Sequence, residues 1–249
     1  MKNFIILISV LFCTTVFAHT INWHDGNTIT QTTCNAGDNI TPPNPIGKYG
    51  YTFQGWKEYI PIEYLQNTGI QHINTGVTIT NNKRFEIDVQ LTSDNPSESS
   101  IMGTGGGADS NFVSIRAGNY FGGNEFGFIK NNKYYFPGNI TKDTFRHIFV
   151  IDLKNNKVKI DQYELITDGT TNSTLTWWIG GYMGSTTTGF DWIGKYYSIK
   201  IYDNEILIHH FIPVLDKDGT PCMYDKVKKK YYYNQGKGQF IAGPVISEL

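Results

Sequence analysis

From Arg84 onward the chain alternates. Phe85, Ile87, Val89 and Leu91 are apolar, while Glu86, Asp88 and Gln90 between them are polar. A period of two puts the apolar set on one side of a strand and the acids on the other. The rhythm returns in Phe145-Arg-His-Ile-Phe-Val-Ile-Asp-Leu, which Asn155-Asn156 turns into Lys157-Val-Lys-Ile-Asp, followed by Gln162-Tyr-Glu-Leu. Shorter strands are predicted at residues 112–116, 126–129 and 133–136, separated by Gly or Asn turns. The tail repeats the pattern most densely, at residues 176–182, 192–204, 211–214, 219–225, 231–234 and 240–244. No helix longer than a turn or two is predicted. The expectation is an all-β chain whose residues 60–249 fold as an antiparallel β-sandwich, preceded by a small β unit at residues 19–59.

The first 18 residues depart from this rhythm. Lys2 supplies a positive start, residues 4–12 are apolar apart from Ser9, and Val16-Phe17-Ala18 places small residues before a cut. This is the layout of a secretion signal, too short to span a bilayer as a helix, and it predicts a mature chain from His19. The protein is then expected to be secreted, periplasmic or displayed on the cell surface, with no membrane span left after cleavage. Cleavage removes Cys13 and leaves Cys34 and Cys222. In an exported chain these either form one disulfide or remain buried thiols, and sequence cannot supply the geometry that decides.

Composition agrees with export. The 249 residues are 14% aromatic and only 17% charged, and the formal net charge is −1. That balance gives no electrostatic reason to expect nucleic acid as a partner. The one basic run, Lys226 with Lys228, Lys229 and Lys230, reads as a solvated hairpin edge or as a contact for a polyanion.

Several stretches carry a resemblance to known families. Ile62-Glu-Tyr-Leu-Gln-Asn-Thr-Gly-Ile-Gln-His-Ile-Asn-Thr-Gly and the strand-rich tail resemble laminin-G-like domains of the concanavalin A-like superfamily, as found on bacterial surface proteins. Ala36-Gly-Asp-Asn-Ile-Thr-Pro-Pro followed by Gly50-Tyr-Thr-Phe-Gln-Gly-Trp resembles an internalin-type B-repeat (the Listeria–Bacteroides repeat), present once and short. The resemblance implies a jelly-roll sandwich and a role in recognition or adhesion, with a glycan or a surface protein as partner. It also implies that one Ca²⁺ is the ion to look for, with Asp109, Asn111, Asp168 and Asp191 as candidates. Turn formation accounts for the same four residues without a metal, and no cofactor is required.

The superfamily also contains glucanases, so catalysis has to be weighed. Those enzymes set Glu-x-Asp-x-(x)-Glu along one strand, the outer pair serving as nucleophile and acid/base. Here Glu86-Ile-Asp88-Val-Gln90 keeps the first two acids and replaces the second glutamate with an amide, which cannot give and recover a proton. Asp191 is a distant acid that no spacing ties to them. The chain is therefore expected not to be an enzyme. The glycines from Gly103 lack the Lys-Ser/Thr of a phosphate loop, and His209 and His210, adjacent on a strand, face opposite ways and cannot easily share a metal.

The aromatics are the stronger functional signal. Trp177-Trp178, Tyr196-Tyr197, Tyr134-Tyr135 and Tyr231-Tyr232-Tyr233 are consecutive, so one ring of each pair should leave the core. Outward rings beside Asn, Asp and Gln can stack on sugars, or else cover a loop, the N-terminal unit or a partner. The expected ligand-binding residues are Trp178, Trp192, Tyr197, Glu86 and Asp88. The leading expectation is a non-catalytic recognition protein for carbohydrate. A structural contact module and a divergent glycoside hydrolase are the alternatives.

Overall fold

The structure, a computed structural model, describes residues 2–8, 19–25, 28–35, 38, 40–43, 51–57, 59–92, 99–105, 111–118, 124–136, 140–183, 188–189 and 192–246. Four strands form an N-terminal sheet: β1 (Lys2–Ile8), β2 (His19–Asp25), β3 (Thr28–Cys34) and β4 (Tyr51–Lys57), in the order β3-β2-β1-β4. β1 lies antiparallel to β2 and parallel to β4. Removing residues 1–18 as a signal would therefore take out the strand between β2 and β4. On β2, Ile21 and Trp23 are buried, and the Trp23 indole N–H donates to Thr32 Oγ1 at 2.8 Å.

The rest of the chain supplies β5 (Ile60–Pro61), β6 (Leu65–Thr68), β7 (Ile73–Thr80), β8 (Lys83–Leu91), β9 (Ser99–Thr104), β10 (Val113–Ala117), β11 (Phe126–Lys130), β12 (Lys133–Tyr135), β13 (Arg146–Asp152), β14 (Lys157–Ile160), β15 (Tyr163–Ile166), β16 (Asn172–Ile179), β17 (Tyr182–Met183), β18 (Thr188–Gly189), β19 (Ile193–Asp203), β20 (Ile206–Leu215), β21 (Pro221–Asp225), β22 (Lys230–Tyr232) and β23 (Ile241–Ala242). A six-stranded sheet runs β12-β11-β10-β9-β16-β7. An eleven-stranded sheet runs β15-β14-β13-β8-β19-β20-β21-β22, with β5, β6 and β23 attached beside β19 and β20. No described helix is long and apolar enough to cross a membrane.

The two sheets face each other across one apolar core, an antiparallel β-sandwich as the alternation predicted. On β8 the inward residues Phe85, Ile87, Val89 and Leu91 are at most 1% exposed, and the polar residues between them face out. Burying each such side chain contributes roughly 1.5–3 kcal/mol. Three contacts pin the layers together. Phe85 stacks on Trp177 at 4.7 Å between ring centres, and Phe126 meets Phe149 edge-on at 5.6 Å. The Tyr196 hydroxyl donates across the core to the Ile101 carbonyl at 2.5 Å.

Turn chemistry closes the hairpins. Asn131-Asn132 and Asn204-Glu205 both carry positive φ at the two turn positions, the condition of the tight hairpin turn whose twist matches its strands. Asp161 also adopts positive φ (52°) between β14 and β15. Its carboxylate accepts the Ile148 N–H at 2.9 Å. The lysine run forms the turn from β21 into the edge strand β22, and Lys226, Lys228, Lys229 and Lys230 are all exposed.

The cysteines resolve one open alternative. Cys34 and Cys222 are both free thiols, so the disulfide considered for them is not formed. Cys222 sits in a separate buried cluster with Tyr59, Val214 and Tyr224, and burial pushes its thiol up to about 12.

Candidate functional site

The outward face of the large sheet collects the polar chemistry. β8 lies between β13 and β19, so Asp88 stands across from Ile148 on one side and Ser198 on the other, with Gln90 across from Arg146 and Lys195. β19 carries a bulge here. The register moves between Tyr196 and Ser198, leaving Tyr197 as the extra residue. A bulge re-aims a side chain by adding one residue to one strand and bending it locally. Tyr196 and Ile199 consequently stay buried in the core, while Tyr197 and Ser198 are both half-buried between them.

The bulge brings Tyr197 beneath Arg146. The guanidinium carbon lies 3.8 Å from the Tyr197 ring centre. Arg146 Nε and Nη2 each donate to Asp88 at 2.6 Å, a two-pronged pairing that fixes the fork in plane. The Tyr197 hydroxyl donates to Gln90 Oε1 at 2.5 Å, and the Gln90 amide donates to the Thr144 carbonyl at 2.9 Å. Tyr64 meets Tyr197 edge-on at 5.9 Å and carries the Lys195 ammonium 4.0 Å above its own ring. The bonds to Asp88 hold the Arg146 guanidinium firmly protonated, and burial pushes the Tyr197 phenol up, so it remains a donor.

Beside this group lies an open pocket of about 240 Å³ lined by Pro61, Ile62, Glu63, Arg146, Tyr197, Ile212, Pro213 and Ile246. One wall is apolar, and the other presents one cation, one carboxylate and one phenol ring. A second network continues along the face. Arg84 donates to Glu86 at 2.5 Å and to Glu205 at 2.8 Å and lies 3.7 Å over the Tyr202 ring, while Lys200 reaches Glu86 at 3.4 Å. Burial works to raise the Glu86 carboxyl, but Arg84 and Lys200 outweigh it and hold it below the ordinary glutamate range.

Of the five residues expected to bind ligand, Tyr197, Asp88 and Glu86 share this face. The two tryptophans do not. Trp192 is fully buried in the core, with its indole lying across Gly194, where a Cβ would stand 2.2 Å from Trp192 Cζ2. Trp178 belongs to the other sheet. It points away from the core, as the pairing with buried Trp177 required, but is only 8% exposed and packs against His72 at 5.4 Å. Outward there means covered, so neither ring is presented as an open stacking surface.

Arg146 is the residue that sequence reasoning missed. Its signal was available, since it is a charged residue at an outward position of a strand otherwise rich in apolar side chains. Of the four calcium candidates, the structure describes two. Asp109 and Asp191 lie outside the described residues, and Asn111 sits in a turn. Asp168 receives Lys133 and the Tyr135 hydroxyl, each at 2.6 Å, which together hold it below the usual aspartate range. Among the described residues no three His, Cys, Asp or Glu side chains gather closely enough to hold a metal. His209 and His210 diverge, the first to Asp225 at 2.6 Å and the second to Ser198 at 3.2 Å.

No protein-family model matches the chain, and no curated protein matches it either. Solved structures do match. One is the crystal structure of a proposed carbohydrate binding protein from Bacteroides ovatus ATCC 8483, similar with a TM-score of 0.49 and 12% identity over 99% of this chain and 82% of that one.

Proposed function

We propose that the protein is an exported, non-catalytic recognition module that binds carbohydrate on the outward face of its large sheet. One observation carries the reading: a fixed array of Arg146, Asp88, Tyr197 and Gln90 borders an open, half-apolar pocket. A sugar presents alternating apolar faces and hydroxyl edges, and such a wall offers ring and aliphatic surface together with hydrogen-bonding groups already held in place. Because the array is prepaid in order, binding loses less side-chain entropy.

Hydrolysis is disfavoured by the same groups. A glycosidase acid must hold its proton near neutral pH, which requires an elevated carboxyl. Glu86 is displaced in the opposite direction, with one oxygen on Arg84 and the other on Lys200, and both Asp88 oxygens are taken by Arg146. Glu86 is thus held ionised, the opposite of what a proton donor needs.

The test is a glycan array probed with the exported protein, followed by Arg146→Ala. A saturable hit that this variant loses supports the reading, and an array without hits overturns it. A second reading, contact with another surface protein, draws on Phe145 and Ile148, which are 74% and 50% exposed on either side of Arg146. An array without hits, together with a defined partner lost on Ile148→Asp, would favour that reading.

A further inference from the structure

Lys228-Lys229-Lys230 is the only run of three like charges in the chain, and the glycan pocket makes no use of it. From Lys226 to Ser247 the chain carries Lys226, Lys228, Lys229, Lys230 and Lys237 and no aspartate or glutamate, in a protein whose formal net charge is −1. The fold sets the run at the end of a hairpin. β21 and β22 pair from Met223–Tyr232 to Asp225–Lys230, so residues 226–229 form the turn between them. Lys228, Lys229 and Lys230 are all exposed. The acid at the base of the turn, Asp225, is fully buried, and its carboxylate accepts from His209 and from the N–H groups of His210 and Val227. Its charge is committed to the interior, while the lysines face solvent.

Protection of a sheet edge explains part of this. β22 ends the path of the large sheet, and a lysine on such a strand discourages another chain from pairing with it. That reason covers Lys230, which lies on β22 with its ammonium 5.3 Å from the Tyr232 ring centre. It does not cover Lys228 and Lys229, which sit in the turn and not on the strand. Lys229 is also strained. Its φ is 51°, in the left-handed region that glycine and asparagine enter most easily. Either would close the hairpin more comfortably, so the charge, and not the turn, accounts for the lysine.

We propose that the β21–β22 turn is a binding site for acidic polysaccharide, a polymer bearing carboxylate or sulfate groups, held by Lys228, Lys229 and Lys230. The run offers ammonium groups and no guanidinium. An ammonium is a compact point charge without the planar fork that matches phosphate geometry. Three of them on one turn respond to the density of negative charge along a flexible polymer, and not to the shape of a single group. That favours a carboxylated or sulfated glycan chain over nucleic acid. The turn is separate from the glycan pocket: Arg146 and Asp88 lie on β13 and β8, and β19 and β20 stand between them and β21.

The experiment titrates the full chain with polygalacturonate and with dextran sulfate, at low and raised salt, beside uncharged dextran and a DNA duplex. Either acidic polymer should bind saturably and weaken as salt rises, and uncharged dextran should not bind. Replacing Lys228 and Lys230 together with glutamine should weaken binding about tenfold, the effect of two surface ion pairs near the top of their usual range. Lys229→Asn is the decisive variant, because it removes the charge and relieves the backbone at once. It should weaken binding about threefold, while the melting temperature holds or rises by up to about 2 °C. A melting temperature that falls would mean that the lysine serves the hairpin itself, and would overturn the inference. Failure of both acidic polymers to bind, binding that the lysine variants leave unchanged, or tighter binding of the duplex at the same salt overturns it too. So does loss of this binding in Arg146→Ala, which would put the polymer in the pocket. The glycan reading stands or falls separately, on the array hits that Arg146→Ala removes.

Discussion

Arg146 lies over Tyr197, its guanidinium carbon 3.8 Å from the ring centre, while its fork holds both oxygens of Asp88. The contact needs a planar, two-pronged cation. Lysine keeps the charge but has neither the plane nor the fork, so Arg146→Lys is not a conservative change here. The pair is exposed on the Arg146 side, so its loss should cost only about 0.2–1 kcal/mol of stability. Affinity for any glycan identified on the array should fall about tenfold or more, equivalent to about 1.4 kcal/mol. Thermal unfolding and a direct titration of the variant separate the two effects, and a variant that binds undiminished removes Arg146 from the site.

Glu86 marks the boundary with enzymes of similar architecture. If it were an acid or nucleophile, Glu86→Gln would abolish sugar release. On the present reading the wild-type protein releases no reducing sugar from oligosaccharides, and Glu86→Gln leaves that result unchanged. The variant should lose about 0.2–1 kcal/mol of stability, because Arg84 retains Glu205 while Lys200 loses its partner. Reducing-end detection after prolonged incubation checks this, and any release that Glu86→Gln eliminates contradicts it.

How much of this could be read from the sequence depends on range. The alternation around Phe85–Leu91 gave the inward and outward sets of β8 without error, because a period of two is a local property of the backbone. The adjacent-aromatic argument likewise separated Trp177 from Trp178 and Tyr196 from Tyr197. It could not tell an exposed outward ring from a covered one, since what lies over Trp178 comes from distant segments such as His72. Trp192 misled for a local reason, because its ring folds over Gly194 and fills the space that this glycine leaves. The site itself joins β8, β13 and β19, which are 58 and 107 residues apart at Asp88–Arg146 and Gln90–Tyr197, and the bulge that aims Tyr197 leaves no mark in composition.

β1 bears on processing. If residues 1–18 are a secretion signal, the mature protein lacks the strand between β2 and β4, and the antiparallel β2–β3 hairpin must stand with one neighbour fewer. The expected outcome is that the exported protein begins at His19 by N-terminal sequencing. A chain starting there should melt at the same temperature as the full chain to within about 2–4 °C, the shift that 1 kcal/mol produces at this size. Export with an intact N-terminus, or collapse of the sandwich in the shortened chain, would count against this reading.

The two thiols should differ in reactivity. Cys34 is half-buried on β3, whereas Cys222 is fully buried and pushed up to about 12, leaving almost no thiolate at neutral pH. Under native conditions a thiol reagent should modify Cys34 and spare Cys222, and denaturation should release the second thiol without reductant. Mass mapping after each treatment provides the check. A requirement for reductant would mean that the two form a disulfide after all.

Asp225 ties the β20–β21 hairpin together and sets its acid limit. The side chain is fully buried and accepts from His209 Nδ1 at 2.6 Å and from the N–H groups of His210 and Val227, each at 3.0 Å. Burial works to raise this carboxyl, but those donors outweigh it and hold it below the usual aspartate range. A carboxyl that binds its proton less readily when folded adds stability above its unfolded value of about 3.9, and that stability disappears as pH falls through the lower folded value. The protein should therefore hold its melting temperature from neutral pH down to about pH 4 in this respect and lose it steeply below. Asp225→Asn keeps the shape but replaces one acceptor with an amide donor, and should cost about 1.5–3 kcal/mol at neutral pH, the worth of hydrogen bonds to a charged group. Because the variant no longer has the carboxyl, the gap between the two melting curves should narrow as the solution is acidified. Equal losses at pH 7 and pH 3 would mean that packing, rather than the charge on Asp225, holds the hairpin.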